Sequence, residues 1–186
     1  GARLGANAIE TSLKSAVVGV ALVLLFMLLV YRVGGFAADW ALVIYMGLEV
    51  AVLSLFNVTL TLPGIAGVIL SVGMAVDANV IIFERFKEEV SSGKTMRSAV
   101  KTSFSRALPA ILDGNVTTLI AAAILYFMGT GTIKGFSITL IIGIVLSMFT
   151  AVVITRLIIM GIIGLGINKQ SYFAVKPKLK EVKENQ

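Results

Sequence analysis

The chain has 186 residues, of which 58% are hydrophobic and 14% charged, with a mean hydropathy of +0.98 and a net charge of +6. A water-soluble domain is closer to half apolar and a quarter charged, so this composition excludes one and points to an integral membrane protein. Zero Cys excludes disulfide and thiol chemistry, and zero His leaves carboxylates of shifted pKa to carry any proton step near neutral pH.

Residues 1–14 hold no signal-peptide pattern. Leu4, Ile9 and Leu13 place apolar side chains along this stretch, which predicts an interfacial segment on the outer membrane surface. Gly1 stands where an initiator Met would, so the chain reads as a piece of a longer protein. A transmembrane domain is predicted over 15–166. It contains five apolar runs of spanning length, at about 15–31, 40–56, 63–83, 108–127 and 135–157. With no water in the bilayer core to satisfy backbone groups, each should be a helix. The short links 57–62 and 128–134 force antiparallel hairpins.

The loop between the third and fourth runs is predicted to carry structure. Ser92-Gly93 breaks the outgoing helix, and Thr95 is placed to cap a new one. Met96, Val100 and Phe104 then recur every four residues, flanked by Lys94, Arg97, Lys101 and Arg106. The pattern predicts an amphipathic helix over about 95–105 lying on the membrane surface, an anchor in preference to a docking surface. Residues 167–186 form a polar, basic tail that is predicted to be disordered.

Cations set the orientation. Arg32, six cations between Glu84 and Arg106, and Lys169, Lys176, Lys178, Lys180 and Lys183 fall on one side of a five-helix topology. Arg3, Lys14 and Lys134 fall on the other. The positive-inside rule therefore makes the carboxyl-terminal tail and the long loop cytoplasmic and leaves the amino terminus outside. Membrane lipid is the expected neighbour of this charge. Nucleic acid is not, because the cations sit in loops and the tail.

Asp77 and Asp113 carry the chemical interest. A carboxylate near the centre of a membrane helix costs about 2.5–3.5 kcal/mol on insertion scales. Asp77 lies six residues before the inner end of its run and Asp113 five residues after the start of its own. At 1.5 Å per residue both sit roughly 7–9 Å deep from the same side. Asn79, Asn115, Thr117 and Thr118 accompany them. One reading is a proton-binding cluster, the other a buried polar network that fixes helix register. Intramembrane ionisable groups are functional candidates by default, which favours the first. Glu49 is lonelier, among Gly47, Leu48, Val50 and Ala51, and reads as structural. Small residues spaced by four, Gly67, Ser71 and Ala75 in the third run and Gly143, Ser147 and Ala151 in the fifth, predict close helix packing. No nucleophile–base pair, phosphate loop or metal-ligand cluster is legible, so no enzyme activity, cofactor or metal is expected. Two intramembrane aspartates raise an aspartyl protease, but the Gly-x-Gly-Asp pattern of such enzymes is absent at both.

Leu62-Pro-Gly-Ile-Ala-Gly, followed by Gly73-Met-Ala-Val-Asp-Ala-Asn-Val-Ile-Ile-Phe-Glu-Arg, resembles the signature of the SecD family of the Sec protein-export machinery. Asp113-Gly-Asn-Val-Thr-Thr-Leu-Ile-Ala-Ala, Gly129-Thr-Gly-Thr-Ile-Lys-Gly-Phe and Ser147-Met-Phe-Thr-Ala continue the likeness, as does Leu4-Gly-Ala-Asn-Ala-Ile at the start. The sister family SecF typically has Asp-Arg where this chain has Glu84-Arg85. Gly114 departs from the Ala common in SecD and keeps a small residue. The resemblance implies an all-α membrane bundle, with the five helices matching helices two to six of one half of an RND-superfamily fold. It implies coupling of the proton-motive force to late preprotein export in the cell membrane, with SecF or a fused SecF half and the SecYEG translocon as partners. By motif position Asp77 takes the principal proton role and Asp113 the accessory one. An RND-type small-molecule or lipid exporter, and a non-conducting translocon scaffold, are the alternatives.

Overall fold

A computed structural model describes residues 2–166 and 170–174, with side-chain surroundings from Asn7 onward. Five long helical rods cross back and forth, and every rod is long and apolar enough to span a membrane. α1 (Ala2–Tyr31) runs unbroken through the predicted surface segment over 1–14, where Ile9 and Leu13 stand exposed. Leu4 lies outside the residues whose side chains are described.

α2 (Val33–Leu55) follows after Arg32 alone, which turns the chain at φ +53°. The predicted run began at residue 40, but the helix starts seven residues earlier and includes Gly34 and Gly35. These two glycines permit close approach. A Cβ on Gly35 would collide with the backbone of Met27 in α1, and one on Gly34 would lie 3.1 Å from the Phe83 ring. The small face brings α1, α2 and the third helix together at one end.

α3 (Leu62–Ser91) opens on a Thr61 cap whose hydroxyl accepts from the Gly64 N–H at 3.2 Å, with Pro63 in the first turn. It outlasts its apolar part, which ends at Phe83. The polar extension carries Lys87–Glu84 at 3.1 Å and Arg85–Glu88 at 2.7 Å, both spaced by three. The Glu84-Arg85 dipeptide thus pairs along the helix, with each member bound to a different residue. Ser92 ends α3, and Gly93 supplies the turn at φ +93°.

α4 (Met96–Met128) is one helix of 33 residues, where the sequence predicts an interfacial piece over 95–105 and a separate span from 108. Thr95 sits at the cap position without a side-chain capping bond. Pro109 lacks an N–H to bond the Ser105 carbonyl, yet the helix passes through it. The reason is tertiary. Val100, Phe104, Ala107 and Ile111 form a single buried stripe across the proline. The face predicted to meet lipid packs into the protein, in one cluster with Phe86, Val90 and Phe173.

The last rod comprises α5 (Thr132–Phe149), a wide π-type turn (Thr150–Ile154) and α6 (Thr155–Gly164). Hydroxyls cluster at the turn. Thr150 Oγ1 lies within hydrogen-bond distance of the Leu146 and Ser147 carbonyls, and Thr155 Oγ1 of the Thr150 carbonyl. Such bonding back to the preceding turn competes with the regular ladder. Thr139, Gly143, Ser147, Ala151, Thr155, Ile159 and Ile163, every fourth residue, are all buried. α3 and α5 share the most extensive helix contact. Gly67 there abuts Thr139 and Phe136, Gly143 abuts Ser71, and Thr139 Oγ1 donates to the Gly64 carbonyl at 3.1 Å. Most of the tail predicted over 167–186 lies outside the described residues, but a short 3-10 turn (Gln170–Phe173) seats Phe173 5.5 Å from the Phe86 ring.

Candidate functional site

Two polar constellations interrupt the apolar interior. The first is a groove of about 190 Å³ between α3 and α4, lined by Met74, Asp77, Ala78, Ile81, Ala110, Ile111, Gly114, Asn115 and Thr118. Asp77 on α3 and Asn115 on α4 both line this groove, whereas the depth arithmetic paired Asp77 with Asp113. Asp77 is exposed, with no hydrogen bond or ion pair among the described residues. Asn115 is 7% exposed. Its Nδ2 donates to the Ile111 carbonyl at 2.7 Å, and its Oδ1 has no partner. A carboxyl, a buried amide oxygen and the Thr118 hydroxyl therefore converge on one small space. That set offers polar oxygens to a proton or a water-borne ion.

Asp113 lies next to Gly114 on α4 and is exposed, but is not part of the groove wall. Thr117 Oγ1 turns back to the Asp113 carbonyl at 2.9 Å, and Thr118 Oγ1 to that of Gly114 at 3.1 Å. Asn79 leaves the cluster. It is buried on another face of α3, where its Oδ1 accepts from Thr155 Oγ1 at 2.9 Å and its Nδ2 donates to the Ala75 carbonyl at 3.3 Å. A spacing of two along a helix turns side chains about 200° apart, so Asp77 and Asn79 serve different neighbours. Gly67, Ser71, Ala75, Gly143, Ser147 and Ala151 are all buried.

The second constellation has Glu49 at its centre, buried to 1% exposure. Ser71 Oγ lies 2.9 Å from Glu49 Oε1 and 2.7 Å from the Tyr45 hydroxyl. Sequence reasoning left Glu49 without company. Tyr45 stands four residues before it on one helix face, a signal that was available, while Ser71 was assigned to packing alone. Asp39, 9% exposed with neither oxygen bonded among the described residues, also went unremarked.

Outside the apolar spans, Glu89 joins the α3–α4 turn. Lys94 Nζ donates to its Oε2 at 2.5 Å and Arg106 to its Oε1 at 2.6 Å. The Lys94 hydrogen bond, helped by the Arg106 charge and opposed by desolvation, holds the Glu89 carboxyl below its ordinary range.

Comparison with known proteins places this architecture. The family described as "Protein export membrane protein SecD/SecF, C-terminal" matches residues 1–164. The chain is 54% identical to the protein translocase subunit SecD of Acidaminococcus fermentans, over 98% of this chain and 45% of that one. It is 50% identical to the SecD of Dictyoglomus turgidum, over 90% of this chain and 42% of the other. The crystal structure of SecDF from Thermus thermophilus, a translocon-associated membrane protein, superposes with a TM-score of 0.87 at 39% identity, covering 89% of this chain and 23% of its own. The chain thus spans less than half the length of these relatives. With a family match over nearly its whole length and five spanning helices, this multi-pass membrane chain belongs to the SecD/SecF carboxyl-terminal family of protein-export membrane proteins.

Proposed function

We propose that this chain is the membrane domain of a SecD subunit, coupling the proton-motive force to late-stage preprotein translocation together with SecF and the SecYEG translocon. The carrying observation is the groove at Asp77. An exposed carboxyl stands midway along a spanning helix, beside Asn115 and Thr118, on a face where a second half of the transporter can cover it. Asp77 is the principal proton site and Asp113 an accessory one. A cation presented by the SecF half would draw the proton off Asp77, and its withdrawal would let the proton return. The basic ends of the helices face the cytoplasm and the amino terminus lies outside, as the charge asymmetry favours. The role is transport without catalysis of a covalent step.

The test is proton-gradient-dependent export by the full-length complex carrying Asp77→Asn, which keeps size and hydrogen bonding but removes the titratable proton. The gradient-dependent part of export is expected to vanish while membrane level and SecF association persist. Unchanged export would make the groove structural and leave the chain a non-conducting scaffold of the translocon.

A further inference from the structure

We propose that Glu49 is a proton-carrying carboxyl of the membrane interior, a second proton site separate from the Asp77 groove, beside a cavity that admits apolar molecules dissolved in the bilayer. The cavity holds about 320 Å³ between α1, α2 and α3. That is the lower range of small-molecule pockets, roughly 300–1,000 Å³. Its wall is apolar except for Glu49, and it shares no lining residue with the groove at Asp77. It opens sideways: Val50 and Ile69 on its wall are 66% and 38% exposed, part-way along spanning helices.

Hydrogen-bond accounting places the proton. Ser71 Oγ lies 2.7 Å from the Tyr45 hydroxyl, 2.9 Å from Glu49 Oε1 and 2.7 Å from the Val68 carbonyl. Tyr45 and Ser71 bring two hydroxyl protons to three contacts. A charged Glu49 would take the Ser71 proton, strip the Val68 contact of its donor and leave its own Oε2, which has no partner, buried as part of an anion. No cation lines the cavity to offset that charge. One proton on Glu49 resolves all three contacts. Ser71 then gives its proton to Val68 and accepts from both Tyr45 and Glu49. Glu49 also reaches the next helix, since a Cβ on Gly143 would come 2.9 Å from Oε1. The protonated carboxyl is thereby seated where α2, α3 and α5 meet.

Carbodiimides report such a group. The carboxyl proton passes to a carbodiimide nitrogen, the carboxylate oxygen bonds to the central carbon, and the acyl group then shifts from oxygen to nitrogen. The stable N-acylurea keeps every atom of the reagent. The experiment treats the full-length protein in native membranes with dicyclohexylcarbodiimide, or with a water-soluble carbodiimide, and maps the adduct by peptide mass spectrometry. The expected result is an adduct on the Glu49 peptide with the lipid-soluble reagent alone, lost in Glu49→Gln and retained in Asp77→Asn. A Glu49 peptide left unmodified by the lipid-soluble reagent, or modified equally by the water-soluble one, overturns the proposal. Because the wild-type map decides this, the outcome does not depend on folding of the variant. It is also separable from the export role of Asp77, since each variant has its own readout.

Discussion

At the scale of single residues, small side chains matter here for what they let others reach. Gly143 is the clearest case. It offers α5 no Cβ, and Ser71 and Glu49 Oε1 occupy the space one would need. Gly143→Ala should therefore force the Ser71–Glu49 pair apart and cost about 1–3 kcal/mol, as overpacking of tight interiors does. Thermal unfolding of the detergent-solubilised protein checks this, with Gly114→Ala, where a Cβ meets nothing within 4 Å, as the neutral control. The sequence made the small stripe legible as a packing face, because spacing by four is visible in one helix. It could not show that Ser71 faces a carboxylate, since that depends on how α2 is placed beside α3. The same limit explains Asn79. Its neighbour in sequence is Asp77, but its partner is Thr155 on the last rod.

Among elements, the α3–α4 hairpin departs most from sequence reasoning. The apolar pattern of Met96, Val100 and Phe104 was plain, but amphipathicity alone does not say whether an apolar face meets lipid or protein. The flanking basic residues argued for a surface helix and a separate span, a division that tertiary packing overrides. Glu89, on α3, ties the turn together through Lys94 and Arg106. Its carboxyl is held below the ordinary glutamate range, so the contribution of these pairs is whole above that range and is lost as pH falls through the lower folded value. Acid titration of thermal stability should show a decline in that acidic window, and Glu89→Gln should flatten it. A wild-type curve with no such decline would leave the clasp without energetic weight. α2 and the last rod followed their apolar runs more closely, because composition over twenty residues decides a membrane helix with little help from context, whereas α1 extends back through the predicted surface segment.

At the scale of the whole molecule, the outer face of α4 bears on how a second half would dock. α4 presents Leu112, Val116, Ile120 and Ile124 outward at a spacing of four, on the helix that also carries exposed Asp113. If the second half of the transporter docks across Asp77, this face belongs to the junction and α1 does not. A cysteine at Val116 should then form a cross-link to the SecF half in native membranes, while one at Leu22 on α1, 62% exposed, should not. Cross-linking from Leu22 alone would place the junction on the opposite side. The overall architecture of five spanning helices was legible from composition and length. The arrangement of the two aspartates on an outer face was not, since depth arithmetic gives height along a helix and says nothing of direction around it.

The wide turn at Thr150–Ile154 has a consequence for the phase of the last rod. Residues spaced by four advance about 40° around a regular helix at each step, so six steps from Thr139 to Ile163 would swing the stripe through about 240°. Such a stripe would wind away from its neighbours before it reached the end of the rod. The π-type turn takes up roughly one extra residue, which resets the phase by about 100°. The turn thus takes back less than half of the swing and leaves roughly 140°, and every fourth residue from Thr139 to Ile163 is buried across that arc. The rod's contact face is a wrapped band, shortened in its winding where the backbone skips a beat.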